Sequence, residues 1–310
     1  MPPDATAAPG RARFSVVIPA HDEATVLGRC LAAFTPDLEP GEAEVIVVAN
    51  GCSDDTADRA RSVGGVQVLE LAGASKVGAL NAGDAACTVF PRVYLDADIT
   101  VSAATLRAVA RALPSGRPAV ASAVLDVALD GRPWAVRSFY RAFGQLPYAR
   151  DRLVGLGLYA LSDAGRARFG AFPDVIADDL FVSSLFGPGE RTVVEEGSFT
   201  VQAPRDLGSL LRVRIRVAAG NAELTRRAGA EGAHSSQAGA DSAPSRPTGA
   251  TWATGATAGS TGSTVRSLAS MCSDLRRVPD VATYVLVTAL ARWRARRPAA
   301  GTWLTDRSTR

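Results

Sequence analysis

The chain has 310 residues, of which 47% are hydrophobic and 21% are charged, and its net charge is +3. This length and composition exclude a chain that is disordered throughout, and the charge is too small to indicate nucleic-acid binding. No run reaches the ~18 apolar residues that a membrane span requires. The four cysteines show no paired spacing, which argues against a zinc site or a disulfide framework. Because residues 1–13 also lack the apolar core of a secretory signal, we expect a cytoplasmic protein.

Strand-like and helix-like patterns alternate over the first hundred residues. Largely apolar runs predict strands at 14–19, 45–48, 66–69 and 93–95, of which the second is continuous and β-branched, and helical patterns occupy 24–34, 56–62 and 76–83. Asp22 is the expected N-cap of the first of these helices. Alternation at these lengths predicts an α/β fold with a mostly parallel central sheet and helices on both faces.

Two acids follow the fourth predicted strand. In Tyr94-Leu95-Asp96-Ala97-Asp98-Ile99 the spacing of Asp96 and Asp98 places both carboxylates on one face of an extended chain. The carboxyl edge of an open α/β sheet is where such folds bind ligands. Paired carboxylates suit Mg²⁺ or Mn²⁺, which typically bridge protein oxygens to substrate phosphates. The alternative is a solvated loop that carries two acids.

The second half of the chain is less regular. Residues 103–113 have a helical pattern, and residues 119–128 and 193–202 alternate like strands. The glycines among the apolar residues of 155–161 are typical of a close backbone approach. A second acidic pair, Asp178-Asp179, stands between apolar flanks. At a helix N-terminus two such acids stabilise the positive end of the helix dipole by ~0.3–1 kcal/mol each, which is the plain alternative to a catalytic role.

The composition divides the chain into three parts. We predict a catalytic domain at 1–226, an Ala/Gly/Ser/Thr-rich disordered insert or linker at 227–264, and a C-terminal helical segment at 265–310. Pro279 is a good first residue for a helix that extends to about residue 297. This helix is apolar nearly all round before an arginine-rich end, so it either packs on the catalytic domain or lies on an anionic membrane surface.

The ordered motifs resemble those of the family 2 glycosyltransferases, which have the GT-A fold. The resemblance extends from Phe14 to about Asn221 and is carried by the order of its segments. These segments are VVIPAHDE, VIVVANGCSDDT, SKVGALNAG, YLDADI, VIADDLFV and RVRIRVAAGN. The resemblance implies an inverting, metal-dependent transferase that uses a nucleotide-diphosphate sugar.

The resemblance also implies roles for individual residues. Asp96 and Asp98 match the metal-binding D-x-D motif, with Asp98 as the preferred direct ligand of Mg²⁺ or Mn²⁺. Asp179 matches the catalytic base, and Asp178 stands beside it where the family has Glu. The residues implied to bind the nucleotide sugar are Pro19, His21, Glu23, Asn50, Lys76, Asn81, Asp96, Arg214 and Arg216.

Several of these matches leave alternatives open. His21 stands where an aromatic residue often stacks on the base, or it is a loop imidazole with no role. Asn50 replaces an aspartate that reads uracil, so the donor is either a UDP-sugar or a GDP-sugar. Lys76 is the only lysine of the chain and matches a motif that borders the phosphates, although it could be an ordinary surface ammonium.

The expected reaction adds one sugar to an acceptor whose identity the sequence does not give. Val213 and Val217 replace the Gln and Trp of the processive Q-R-x-R-W signature, which argues against a polymerising synthase. Residues 155–159 are expected to line the acceptor side. The alternatives are a sugar-phosphate nucleotidyltransferase, which would need a basic Gly-rich loop after the first strand, and a non-catalytic nucleotide-sugar-binding protein.

Overall fold

The structure is a computed structural model that describes residues 13–117, 119–146, 157–175, 178–235, 262 and 264–296. Side chains are described for these residues except at 224 and 227–235. Within the described ranges, every helix is too short or too polar to span a bilayer.

One eight-stranded sheet forms the centre of the fold. Its strands are β1 (Phe14–Ala20), β2 (Ala43–Asn50), β3 (Val66–Leu71), β4 (Arg92–Leu95), β5 (Thr100–Val101), β6 (Val120–Ala128), β7 (Leu158–Leu161) and β8 (Arg191–Gln202). The spatial order is β3-β2-β1-β4-β7-β6-β8-β5. Strands β3, β2, β1 and β4 are parallel, as the sequence predicts.

The short strand β7 departs from the predicted parallel pattern. It lies between β4 and β6 and is antiparallel to both, while β6 and β8 pair in parallel and β5 is antiparallel to β8. The pairing brings Tyr159 opposite Tyr94. This antiparallel insertion has a structural consequence, because the start of β7 meets the loop that carries Asp96.

Helices cover both faces of the sheet, so the α/β class predicted from the sequence is confirmed. They are α1 (Ala24–Ala32), α2 (Thr56–Arg61), α3 (Lys76–Ala86), α4 (Ala103–Arg111), α5 (Trp134–Phe143), α6 (Asp163–Arg166), α7 (Asp178–Ser184), α8 (Leu207–Ser235), α9 (264–271) and α10 (Val278–Ala295). In β1, Val16 and Ile18 pack in the cluster that contains α1 and α4, and Val17 packs in the cluster that contains α3 and α7. The strand is buried on both faces, which explains its unbroken apolar sequence.

A third hydrophobic cluster joins the C-terminal helices to the domain. Phe139 of α5, Leu210 of α8 and Tyr284 of α10 belong to it, and the rings of Phe139 and Tyr284 stack with centroids 5.3 Å apart. Asp280 accepts hydrogen bonds from Ser138 and Arg141 of α5. Of the two alternatives for the C-terminal helix, packing on the domain is therefore observed for one face of α10.

The predicted insert at 227–264 is only partly covered by the structure. Helix α8 continues to Ser235 and so includes the first nine residues of that segment as helix, where the sequence predicts disorder. Residues 236–261 lie outside the described residues. The three-domain division itself remains a prediction.

The predicted N-cap of α1 is wrong by one residue. Glu23 occupies the N-cap position, and Asp22 adopts a left-handed φ of 50°. The Asp22 carboxylate instead accepts hydrogen bonds from the backbone N–H and hydroxyl of Ser53, at 2.7 and 3.1 Å for the same oxygen. Asp54, on the next loop, accepts a hydrogen bond from the Ala24 N–H at the start of the helix. The carboxylate near the helix N-terminus therefore comes from a neighbouring loop, which local sequence reasoning cannot anticipate.

Candidate active site

The loops after β1, β2, β3 and β4 meet at one edge of the sheet, because these four strands run in the same direction. Gly51 approaches the loop before α3 so closely that a Cβ at this position would lie 2.6 Å from the Ala74 nitrogen. Its φ of 59° is also a left-handed value that favours glycine. The loop after β2 and the loop before α3 are therefore in close contact at the edge where the sequence predicts nucleotide binding.

A cavity at this edge contains four of the eight charged residues predicted for the site. Its lining includes Pro19, Lys76, Asp96, Gly157, Tyr159, Asp178 and Asp179. The Lys76 Nζ lies 2.9 Å from Asp96 Oδ1 and 3.1 Å from Asp178 Oδ1. Burial lowers the pKa of Lys76, but the carboxylates of Asp178, Asp96 and Asp179 outweigh that effect and raise it above its ordinary value. Lys76 is thus a fixed positive charge of the cavity, not an ordinary surface ammonium.

Asp178 and Asp179 begin α7, so their position at a helix N-terminus agrees with the plain structural alternative. The position at a helix N-terminus does not, however, explain the raised pKa of Asp179. Burial raises the pKa of Asp179 to about 6, and repulsion from Asp178 adds to this shift more than attraction to Lys76 reduces it. Asp178 is 3% exposed and Asp179 is partly exposed. A carboxyl group with a raised pKa beside a cavity is typical of a general base.

Tyr159 brings a hydroxyl group into the same acidic surroundings. Its ring stacks on that of Tyr94, with centroids 4.9 Å apart, and the residue is buried. Burial, followed by the negative charge of Asp178, raises the pKa of the phenol well above its ordinary value. The Tyr159 hydroxyl is buried and has no hydrogen-bond partner among the described residues. Buried hydroxyl groups are nearly always satisfied, so this atom marks a place for a ligand or water.

Gly157 allows the start of β7 to touch the D-x-D loop. Its φ is 94°, and a Cβ there would lie 2.8 Å from Ile99 Cδ1 and 3.0 Å from Asp96 Oδ2. The Asp96 N–H donates to the Gly157 carbonyl at 2.8 Å. Gly157 and Tyr159 therefore line the cavity, while residues 155 and 156 lie outside the described residues. The prediction that 155–159 line the acceptor side remains a prediction.

Asp98, the second acid of the D-x-D motif, lies outside the lining of this cavity. Its carbonyl accepts a hydrogen bond from Arg29 of α1, and its negative charge adds to burial in raising the pKa of the Cys30 thiol. The assignment of Asp98 as the direct metal ligand remains a prediction.

The first loop places His21 beside Asn50. The His21 Nδ1 is 2.7 Å from the Asn50 carbonyl, which fixes the orientation of the imidazole. The Glu23 N–H donates to Thr56 Oγ1 at 2.8 Å, so this residue ties the first loop to the second. Potential ligand atoms of His21, Asp22 and Cys52 lie within 4.8 Å of one another, a grouping that the sequence spacing does not reveal.

The side-chain amides of Asn50 and Asn81 are engaged by backbone groups. Asn50 is buried; its Nδ2 donates to the Ala20 carbonyl at 2.7 Å and its Oδ1 accepts from the Ser75 N–H at 3.0 Å. Asn81 accepts from the Phe172 N–H at 2.8 Å and donates to the Phe172 carbonyl at 3.3 Å. Both residues hold loops of the site together in the structure.

The two arginines that the resemblance implies to bind the nucleotide sugar lie on α8. The Arg214 guanidinium is 5.6 Å from the Phe139 ring centroid and 5.8 Å from that of Phe143, so it stacks on α5. Arg216 is partly exposed on the same helix. Neither lines the cavity, and their contact with a nucleotide sugar remains a prediction.

Sequence reasoning missed the buried charge cluster beneath the site. Asp84 of α3 accepts hydrogen bonds from Tyr94 at 2.5 Å, from Arg92 at 2.8 Å and from Arg166 at 3.0 Å. Burial opposes the ionisation of Asp84, but these hydrogen bonds outweigh it and lower the pKa. The cluster fixes Tyr94, on which Tyr159 stacks, and its members come from positions too distant in sequence to form a recognisable motif.

Comparison with known proteins identifies the family. The model of Glycosyl transferase family 2 matches residues 15–169. A mannosyltransferase, PcManGT from Pyrobaculum calidifontis, solved with GDP-Man and Mn²⁺, is 21% identical with a TM-score of 0.58 over 91% of this chain and 85% of that one. Glucosyl-3-phosphoglycerate synthase from Mycobacterium tuberculosis, solved with UDP, is 21% identical with a TM-score of 0.44 over 63% of this chain and 73% of that one. A search of curated proteins gave no match.

The matched segment contains the loop after β1, Lys76, the D-x-D motif and Tyr159, and it spans half of the chain. The similarity to PcManGT adds the fold, since β1 to β8 and the helices around them are of the GT-A kind. The chain is a glycosyltransferase and belongs to Glycosyl transferase family 2.

Proposed function

We propose that this enzyme transfers a single sugar from a nucleotide-diphosphate sugar to an acceptor hydroxyl, with inversion at the anomeric carbon and with a divalent cation. The observation that carries the proposal is the cavity where Asp96, Asp178 and Asp179 surround the ammonium of Lys76. The same edge of the sheet holds the loops that the family resemblance connects with the nucleotide. The acidic residues Asp22 and Glu23 after β1 disfavour a nucleotidyltransferase, which would need a basic loop there.

The donor set of the cavity fits Mg²⁺ or Mn²⁺. Three carboxylates face one ammonium, so a net negative charge is available to a cation, and all the candidate ligand atoms are hard oxygens. Asp96 is partly exposed and offers its Oδ2 toward Gly157, while its Oδ1 is engaged by Lys76. Asp96 of the cavity, together with Asp98 of the same loop, would hold the cation, which would supply charge neutralisation to the departing diphosphate.

Asp179 is the group that we assign as general base. The acceptor hydroxyl is a weak nucleophile, and a carboxylate within hydrogen-bond reach takes its proton as the new bond forms. The raised pKa of Asp179 brings its basicity closer to that of a useful proton acceptor near neutral pH. Asp178 contributes by repulsion, since its negative charge disfavours ionisation of its neighbour. A single displacement on the face opposite the leaving group inverts the anomeric centre.

We assign Lys76 and Tyr159 to substrate binding in the cavity. The Lys76 ammonium is held between α3 and the acids, where it balances negative charge and orients Asp96. The unsatisfied Tyr159 hydroxyl donates to an oxygen of the bound donor or acceptor, which removes the cost of leaving a buried donor unpaired.

We assign Asn50 to positioning the loops of the site, and this assignment affects which groups recognise the nucleobase of the donor. Because its Oδ1 and Nδ2 are bonded to Ser75 and Ala20, we assign reading of the base to the backbone of these loops together with the His21 imidazole.

The test is a panel of UDP- and GDP-sugars incubated with the enzyme and Mn²⁺, with release of free nucleoside diphosphate as the signal. We expect release with one base class, its loss on chelation with EDTA, and its loss in Asp179→Asn. Asp126→Asn is the matched control, because Asp126 is an exposed acid on β6 away from the cavity. Release that persists in Asp179→Asn would remove this residue from the base role, and release that resists EDTA would remove the cation.

A further inference from the structure

The solvent-facing side of α10 is apolar, which is unusual for a helix packed on a domain by its other side. Among the described residues ten large apolar side chains are exposed, and seven of them lie between 265 and 293. Five of these seven belong to α10 and form what we call the outer face: Val278, Val285, Leu286, Leu290 and Trp293. Leu286 is 70% exposed and Trp293 is 50% exposed. Their spacing keeps them on one side of a helix with 3.6 residues per turn.

The opposite side of α10 determines this orientation. Val281, Tyr284 and Val287 are buried in the cluster formed with α5 and α8. Asp280 pairs with Arg141 at 2.7 Å, which fixes the first turn of the helix against α5. With its inner side attached in this way, α10 cannot bury the outer face by rotating. With respect to the part of the chain that the structure describes, the outer face is therefore exposed.

Positive charge flanks the outer face at both ends. Between residues 264 and 296 the arginines are Arg266, Arg276, Arg277, Arg292, Arg294 and Arg296, and the only acids are Asp274 and Asp280. Asp274 pairs with Arg277, and Asp280 pairs with Arg141 outside this segment. The segment thus has an excess of four positive charges, with its acids already engaged.

We propose that the outer face of α10 binds the surface of an anionic lipid bilayer, with the helix lying in the plane of the interface. Apolar side chains between two basic ends are the pattern of interfacial helices, where arginines reach phosphate groups and an aromatic ring sits at the headgroup level. This extends the second alternative that the sequence leaves open, and it is independent of the proposed catalytic residues.

A second copy of the chain is the competing occupant, and charge argues against it. In an antiparallel pair of α10 helices Arg276 and Arg277 would approach Arg292 and Arg294 of the other copy, and a parallel pair would join like ends. Neither arrangement offers a free acid from the segment to offset the repulsion. An anionic surface neutralises both ends at once, which is the reason for choosing it.

The test is co-sedimentation of the full chain with sucrose-loaded vesicles of phosphatidylcholine alone or of phosphatidylcholine and phosphatidylglycerol in equal amounts. We expect binding to the anionic vesicles, little binding to the neutral ones, and weakening by added salt. The double variant Leu286→Glu/Trp293→Glu should abolish binding. The double variant Val124→Glu/Leu207→Glu is the matched control, because it makes the same change of charge at two exposed apolar residues outside α10.

The arginines allow a second, quantitative test, in which the partition coefficient onto anionic vesicles is measured. An arginine near an anionic surface contributes about fivefold to partitioning, so Arg292→Gln/Arg294→Gln/Arg296→Gln should lower the partition coefficient on the order of 100-fold. The triple variant Arg111→Gln/Arg117→Gln/Arg205→Gln has the same net charge and should remain bound. These positions are exposed, so the variants are expected to fold.

Two outcomes would overturn the proposal. One is wild-type protein that stays in the supernatant with anionic vesicles at low salt. The other is a dimer in sedimentation velocity without lipid that dissociates in the double variant Leu286→Glu/Trp293→Glu, which would assign the outer face to a second copy. Release of nucleoside diphosphate, measured without vesicles, reports separately on the proposed function and should be unchanged in the lipid-binding variants.

Discussion

Replacing Asp179 with Asn should stabilise the protein while it abolishes sugar transfer. The carboxyl group has a pKa of about 6 in the fold because burial and Asp178 disfavour its charge. An unperturbed aspartate titrates near 3.9, and one pKa unit corresponds to about 1.4 kcal/mol, so the raised pKa represents a cost of about 3 kcal/mol when Asp179 is ionised. The amide is isosteric and carries no charge, so it removes this cost.

The pH dependence of the stability difference between Asp179→Asn and wild type shows whether the charge of Asp179 causes it. Between about pH 4 and about pH 6 the native state binds more protons at Asp179 than the unfolded state, so the cost is absent below this window and complete above it. Urea unfolding should therefore show Asp179→Asn to be more stable than wild type by up to ~3 kcal/mol at about pH 8, and equal to it at about pH 4. Asp126→Asn should show no such difference.

The rate of sugar transfer, measured on the same samples, tests the catalytic role of Asp179 separately from its effect on stability. Removal of a general base typically lowers the rate by ~10²–10⁴-fold, whereas binding of the nucleotide sugar should change little. An Asp179→Asn protein that is less stable than wild type at about pH 8 would refute the reasoning, because it would mean that the carboxylate contributes more through its contacts than it costs by burial. Nearly normal turnover would refute the catalytic assignment instead.

Three further changes test the surroundings of this group. Lys76→Met should lower the free energy of unfolding by ~3 kcal/mol, because Asp178 is left buried and unpaired, and should move the acid limb of kcat/KM to higher pH as the pKa of Asp179 rises. Asp84→Asn should lower stability by ~3 kcal/mol in urea unfolding at neutral pH; the difference should fade below about pH 4, since the lowered pKa of Asp84 stabilises only above its unfolded pKa. Tyr159→Phe should raise the stability of the free enzyme by about 1–3 kcal/mol in urea unfolding, since it removes a buried hydroxyl that has no partner among the described residues, and should lower kcat/KM by about tenfold in initial-rate assays.

The strands and the charged motifs could be predicted from the sequence because each depends on short-range patterns. The apolar run at 14–19 predicts a strand buried on both sides, and β1 is such a strand. Asp96, Lys76 and Asp178 could be connected through the order of motifs, and the structure brings them to one cavity. Parallel strands make this possible, because every loop that follows such a strand emerges at the same edge.

The features that escaped prediction depend on contacts between distant segments. Neither the antiparallel insertion of β7 nor the stacking of Tyr159 on Tyr94 is encoded in local periodicity, since residues 157–161 are too few to show a period. Asn50 and Asn81 matched positions connected with the nucleotide, yet each amide bonds to the backbone of a loop. An amide can donate and accept at once, so its residue type does not tell whether it meets a ligand or a neighbouring chain segment.

The site combines carboxylates that repel one another with hydrogen bonds that hold the surrounding backbone in place. Like charges on Asp178 and Asp179 repel, and only Lys76 among the residues that line the cavity is positively charged. The carboxylates stay close together only if the backbone that carries them cannot move apart. The hydrogen bonds between Asn81 and Phe172 restrain the backbone at Phe172, which precedes α7 in the chain. A bound cation and diphosphate add both signs of charge to the cavity. We therefore expect donor and cation to bind together more tightly than either alone, and calorimetry with each ligand in the presence and absence of the other measures this coupling.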